Sequence, residues 1–97
     1  MAYADVIIDA YAAGVKAASH DVKWDGEKTN DPLNGTSASG LTVESVLRDF
    51  AVQIEAAVAE AMAQKPGALE FTAEKRALED AVIDSWYNGY DVYAPLH

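Results

Sequence analysis

The segment from residue 42 to residue 65 has the most regular pattern in the chain, and it restricts the fold most. Its apolar side chains recur at steps of three and four residues, which is the spacing of one face of an α-helix. Thr42 offers a side-chain oxygen that can cap the first turn, and Pro66 disfavours continuation beyond Lys65. The pattern predicts a helix over 42–65 whose wide apolar seam contacts more than one neighbour.

The same spacing predicts two further helices, over 3–19 and over 72–88. Gly14 interrupts the first of them at a cost of about 1 kcal/mol relative to Ala, so we expect another backbone to approach closely there. Thr72 is expected to cap the third helix, and Asn88-Gly89 to end it. Because the connection between the second and third helices is short, these two are expected to form an antiparallel hairpin.

The remaining segments lack this periodicity. Residues 20–41 contain turn-forming pairs such as Asp25-Gly26, and a loop of about twenty residues in a compact domain is usually functional. Residues 89–97 are aromatic and contain Pro95, which predicts an extended tail. The predicted fold is therefore all-α: a single domain over 1–97, a three-helix bundle with helix one packed across the hairpin, a long irregular loop between helices one and two, and an extended aromatic C-terminal tail.

The charge balance restricts the partners. Sixteen acidic residues and seven basic residues give a formal net charge of −9. Nucleic acids and anionic membranes attract basic surfaces, so we expect no direct binding to either. No run approaches the roughly 20 apolar residues of a membrane helix, and the first residues lack the basic flank of a signal peptide. We expect synthesis in the cytoplasm.

Patterns typical of enzymes and metal proteins do not occur in the chain. Neither His20 nor His97 follows a Glu by three residues, as a di-iron bundle requires. The acidic residues between 20 and 40 do not have the ligand spacing of a calcium loop. No glycine-rich phosphate motif or nucleophile elbow is present, and there is no cysteine. We expect a non-enzymatic protein with no catalytic residues, cofactor or metal.

Two ten-residue segments resemble each other, DVIIDAYAAG at 5–14 and DAVIDSWYNG at 80–89. The resemblance predicts that both helices play the same packing role against the central helix. Each segment carries two Asp four residues apart, a like-charge spacing that costs about 0.2–0.5 kcal/mol, and the second pair lies towards a helix end that prefers cations. The acidic stripe therefore indicates a basic partner surface or a bound cation, or else a solvated helix face.

Aromatic residues cluster after the acidic stripe, and one Trp lies in the predicted loop. Tyr and Trp in such positions either belong to the core or anchor an interface. With the neighbouring acidic residues they form the predicted set of partner-binding residues: Trp24, Asp80, Asp84, Trp86, Tyr87, Tyr90, Asp91 and Tyr93.

Two family resemblances follow from these residues. Trp24-Asp25-Gly26, with Tyr87-x-x-x-Asp91, resembles the Trp-x-Gly and Tyr-x-x-x-Asp marks of the small secreted helical-hairpin family. That family carries Trp-x-Gly between two long helices, whereas here it precedes a long predicted loop. The early amphipathic helix, and the late helix ending near Trp-Tyr, are similar in style to small phage head–tail connector proteins. This second resemblance implies a virion component.

The sequence thus favours a structural or assembly protein that acts through protein–protein contacts in a homo-oligomer or larger complex, including a phage virion component of the connector or capsid-associated kind. The alternative is a small acidic inhibitor or adaptor that binds a basic, including a nucleic-acid-binding, surface on another protein. Three Ala-rich helices bury little area, so we expect another polypeptide to hold the loop and the tail.

Overall fold

The computed structural model describes residues 2–94 and contains three α-helices in that range. Helix α1 covers Tyr3–Asp25, α2 covers Val43–Gln64 and α3 covers Phe71–Val92. Within residues 2–94 the extended backbone forms no strand, only an isolated bridge between Asn34 and Thr42. The predicted all-α class is confirmed. Met1 and residues 95–97, which belong to the predicted domain and tail, lie outside the described residues.

Helix α1 is longer than the predicted range of 3–19. It continues to Asp25 and ends at Gly26, whose φ of 84° places it in the left-handed region and whose N–H donates to the Val22 carbonyl. The last six residues of α1 have a turn-forming composition, but Asp21 among them lies on the buried face and contacts α3. This tertiary contact outweighs the weak local preference of residues 20–25 for a turn, so the helix continues to Asp25. The loop therefore covers 26–42 instead of 20–41.

Helix α2 agrees closely with the prediction. Thr42 caps it by accepting from the Ser45 N–H, and the Ser45 hydroxyl accepts from the Thr42 N–H, which completes a capping box. The helix ends at Gln64, just before Lys65-Pro66. The strong start signal and the Pro stop explain why this element was predictable.

Helix α3 differs from the predicted range of 72–88 at both ends. Its N-cap is Glu70, without a side-chain capping bond, so Thr72 lies inside the first turn and does not cap the helix. The helix passes through Gly89 and ends at Val92. Gly89 is therefore a packing residue, not a stop signal, and residues 89–92 of the predicted tail belong to the helix.

Helices α1 and α3 form the principal pair and run in the same direction. Near their N-terminal ends the Tyr3 hydroxyl donates to Glu74 over 3.0 Å, and near their C-terminal ends the Tyr90 hydroxyl donates to Asp21 over 2.6 Å. Helix α2 runs the opposite way, because its Gln64 end lies beside Tyr3. Helices α2 and α3 thus form the predicted antiparallel hairpin, but helix one does not lie across it: α1 runs parallel to α3 and pairs with it, with α2 on one side.

The core lies between the three helices and one loop residue. Its members are apolar side chains that are less than a tenth exposed. They are Val6, Ala10, Ala17, Ala18, Leu33, Val46, Phe50, Ile54, Ala57, Val58, Leu78, Val82, Trp86 and Tyr90. Many of the contributions from α1 are alanines, which allows the helix backbones to come close together.

Candidate protein-binding face

The closest approach of α1 and α3 is reciprocal. A Cβ atom on Gly14 would overlap the carbonyl oxygen of Trp86, and a Cβ atom on Gly89 would overlap the carbonyl oxygen of Tyr11. Each glycine thus meets the residue three positions before the other glycine. This arrangement relates the two helices by an approximate two-fold axis parallel to both. The expectation of a close backbone approach at Gly14 is confirmed.

The two similar ten-residue segments occupy equivalent places in this pair. Tyr11 corresponds to Trp86, and Ile8 corresponds to Ile83. Helix α2 covers only one of the two equivalent sides: Trp86 is 1% exposed, whereas Tyr11 is 39% exposed and Ile8 is 63% exposed. The segments therefore pack against each other, and they do not share one packing role against α2 as predicted.

The side that α2 leaves uncovered is apolar on α1 and mixed on α3, and we call it the outer groove. At about 100° per residue, one flank of α1 carries Ile8, Tyr11 and Val15. The facing flank of α3 carries Val92 together with Ala81, Ser85 and Asn88. Val92 is 57% exposed. Exposed large apolar side chains that lie close together, here Ile8 and Tyr11 with Val92, are typical of a protein contact surface.

Two acidic edges border the outer groove. Helical geometry places Asp5 and Asp9, together with Lys16, on the side of α1 turned away from α3, and Asp80 and Asp84 on the side of α3 turned away from α1. The four Asp side chains are exposed. Within residues 2–94 no salt bridge joins any of them to a Lys or Arg. Their mutual repulsion is relieved when a cationic surface approaches.

Two of the predicted contact residues are buried. Trp86 and Tyr90 are each 1% exposed, and their rings stack at 5.3 Å between centroids. Tyr87 is half-buried and meets the Trp86 ring edge-on at 5.6 Å. Side chains in such positions stabilise α3 against the core and offer little surface to a partner. The aromatic periodicity in α3 was therefore a core signal.

The other predicted residues lie at the surface or at its border. Trp24 is 66% exposed, and its ring lies 6.0 Å from the His20 ring, on the side of α1 that faces α2. It does not belong to the outer groove. Asp80, Asp84 and Asp91 are exposed, and Tyr93 is half-buried at the end of α3.

A buried polar cluster joins α1, α3 and the loop. The Asp21 carboxyl is fully buried and accepts from the Tyr90 hydroxyl over 2.6 Å and from the Ser39 N–H over 3.0 Å. The Tyr90 oxygen in turn accepts from the Thr29 N–H over 3.0 Å. Burial and then the hydrogen bond to Asp21 raise the pKa of Tyr90 to about 12. The cluster has its hydrogen bonds satisfied internally, which is typical of a structural role.

Lys28 joins the loop to the end of α3. Its ammonium donates to the carbonyls of Asp91 over 2.9 Å and Tyr93 over 2.8 Å, with a longer contact of 3.4 Å to Tyr90. These are carbonyls that a helix end leaves without intrahelical partners, and a cation there is favourable. No local sequence pattern indicates this cap, because Lys28 and its acceptors lie more than sixty residues apart in the chain.

The loop is held by its own chain at several points. Besides the bonds of Lys28 and Thr29, the Asp25 carboxyl accepts from the Ala38 N–H over 3.1 Å. Leu33 is buried in the core. These contacts supply an internal reason for the order of the loop, for which the sequence had suggested an external polypeptide.

A cleft of about 420 Å³ lies between α1, α2 and the loop. Ala17, Val46 and Phe50 line its apolar part, and Lys16 and Asp49 lie at its edge. The cleft can admit a small apolar group. In the part of the chain that the structure describes, no three His, Cys, Asp or Glu residues are grouped as metal ligands require. No helix within that part combines the length and apolarity needed to cross a membrane.

Comparison of the chain with protein-family models, with curated proteins and with solved structures finds no match.

Proposed function

We propose that this protein is a non-enzymatic adaptor or assembly component that binds a basic surface of another protein through the outer groove and its two acidic edges. The observation that carries the proposal is the side-by-side placement of the two Asp-containing segments. This placement combines an exposed apolar strip with unpaired negative charge. Apolar contact supplies affinity at such a face, and complementary charge supplies orientation and association rate.

The charge of the face argues for a different protein as the partner over a second copy of the chain. Two copies that met through this face would bring Asp5, Asp9, Asp80 and Asp84 against the same residues of the other copy. The whole chain carries −9, so the repulsion extends beyond these residues. We therefore propose assembly within a hetero-complex. A phage virion remains a proposed setting, on the resemblance of the early and late helices to connector proteins.

Capture of proteins from a cell extract tests the proposal when two charge variants are compared. The first variant removes the acidic edges, and the second removes four charges elsewhere, so that the net charge of both is equal. We expect the native chain and the second variant to capture basic proteins in a salt-sensitive way. We expect the first variant to lose this capture. The first variant is Asp5→Asn, Asp9→Asn, Asp80→Asn and Asp84→Asn, and the second is Glu27→Gln, Asp31→Asn, Glu44→Gln and Asp49→Asn.

Equal capture by both variants would show that the edges have no specific role, and it would overturn the proposal. The mass of the isolated chain in solution gives a second test. We expect a monomer at physiological salt, since screening over roughly 8 Å does not remove the repulsion of closely apposed edges. A stable dimer that Ile8→Lys disrupts would show that the outer groove binds a second copy.

A further inference from the structure

On the basis of the function proposed above, we infer that the outer groove binds a single amphipathic α-helix of the basic partner. This helix lies in the position that the two-fold relation of α1 and α3 makes equivalent to that of α2. It runs antiparallel to both helices, as α2 does. The inference names the shape of the partner segment, which charge alone does not specify.

Helix α2 shows what such a groove accepts. Its buried residues Val46, Phe50, Ile54, Ala57 and Val58 follow each other at helical spacing and cover the side of the pair that carries Trp86. The outer groove presents the equivalent residues of the other segment. A helix with the same apolar spacing therefore finds Tyr11 and Ile8 in the places where α2 finds Trp86 and Ile83, with Ser85 in the place of Ala10.

The floor of the outer groove can be covered by an apolar side chain without leaving a hydrogen-bonding group unsatisfied. The Ser85 hydroxyl lies at the contact of the two helices and donates to the Ile7 carbonyl over 2.8 Å. Its hydrogen bond is already made within the chain, so covering it does not strand a polar group. Tyr11 and Ile8 supply the largest apolar area that a helix would bury.

Charge decides between a partner helix and a helix from a second copy. The exposed side of α2 carries Glu44, Asp49 and Glu55, so an α2 helix of another copy would place carboxylates near the acidic edges. A helix with Lys or Arg on both sides of its apolar stripe pairs with Asp5 on one edge and Asp84 on the other. The occupant is thus basic and amphipathic.

The probe is a peptide with the α2 sequence, residues 43–64, in which Glu44, Asp49 and Glu55 are replaced by Lys. It keeps the apolar spacing that fits this kind of groove and supplies the missing cations. We expect it to bind the full-length protein and to shift the backbone amide NMR signals of residues 4–15 and 77–92. The unchanged α2 peptide is the control, and we expect its affinity for the protein to be lower by about tenfold or more.

Two protein variants locate the binding. Ile8→Lys places a cation in the groove and removes apolar contact, so we expect affinity for the basic peptide to fall about tenfold or more. Val52→Lys is the matched control, because Val52 is 81% exposed on α2, away from the groove, and we expect unchanged affinity. Both positions are exposed, so neither substitution disturbs the core.

Three results would overturn the inference. They are equal binding by Ile8→Lys and Val52→Lys, NMR shifts confined to the cleft beside Phe50, and absence of peptide binding. If the native chain still captures basic proteins through its acidic edges, these results reject the helical partner segment but leave the proposed function in place. If that capture is lost as well, both the helical partner segment and the proposed function are rejected.

Discussion

Gly14 and Gly89 are each other's counterparts: each lets its helix rest on the backbone carbonyl of the residue three positions before the other glycine. This single contact explains why the chain carries two similar segments. It sets α1 and α3 side by side in parallel and leaves one flank for α2 and the other for solvent. The outer groove is a consequence of it.

Replacing Gly14 by Ala tests the contact. Helix propensity alone would stabilise the protein by about 1 kcal/mol, but the added methyl group overlaps the Trp86 carbonyl. Since backbone atoms cannot move aside locally, we expect the free energy of unfolding to fall by about 1–3 kcal/mol in urea denaturation. Gly89→Ala should have an effect of similar size. A stabilising result at either position would contradict the reciprocal contact.

Asp21 is expected to fix the loop to the helices. Asp21→Ala leaves the Tyr90 hydroxyl and the Ser39 N–H without their acceptor, so we expect a loss of about 2–4 kcal/mol in the free energy of unfolding. Amide exchange at Ser39 should become faster. Asp25→Ala is the control: its bond to Ala38 is exposed, and we expect a loss of about 1 kcal/mol or less. Equal losses would mean that burial of Asp21 adds nothing.

The raised pKa of Tyr90 predicts a loss of stability in alkali. The folded-state pKa of about 12 exceeds the ordinary value of 10.0, so the folded chain holds this proton more tightly than the unfolded chain. The contribution is fully present below pH 10 and is lost as the pH rises towards 12. We expect the free energy of unfolding of the native chain to decrease over this interval, and that of Tyr90→Phe to decrease less. Parallel pH profiles of the free energy of unfolding of the two proteins would contradict the contribution of Tyr90.

Lys28 is expected to hold the last turn of α3. Lys28→Met removes the cation from three carbonyls, and we expect a loss of about 0.5–1 kcal/mol in the free energy of unfolding. Amide exchange at the C-terminal end of α3 should become faster while that in α2 stays unchanged. Lys23→Met serves as the control, since Lys23 is exposed and contacts only the Trp24 ring in the described structure. The prediction is wrong if amide exchange at the C-terminal end of α3 is equally fast in Lys28→Met and Lys23→Met.

Local sequence patterns predict the helices here better than their ends. Thr42 and Pro66 bound α2 by local chemistry, and that helix agrees with the prediction. The end of α1 depends on Asp21 reaching Tyr90, sixty-nine positions away, and no local pattern shows this contact. Gly89 has two possible meanings, helix stop or packing residue, and only the neighbouring helix decides between them.

The candidate site was only partly predictable for the same reason. Asp80 and Asp84 were singled out by their spacing, and they lie on an exposed edge. An aromatic at helical spacing looks the same in a core and at an interface, so the sequence alone does not show that Trp86 and Tyr90 complete the core. The exposure of Ile8 and Tyr11 follows from α2 lying on the other flank of α1, and no local pattern indicates it.

Hydrogen–deuterium exchange of the chain with and without a captured basic partner tests the central claim most directly. The account predicts that binding slows exchange within residues 4–15 of α1 and 77–92 of α3, the segments that form the outer groove, and leaves α2 unchanged. Protection confined to α2 or to the 26–42 loop would contradict it.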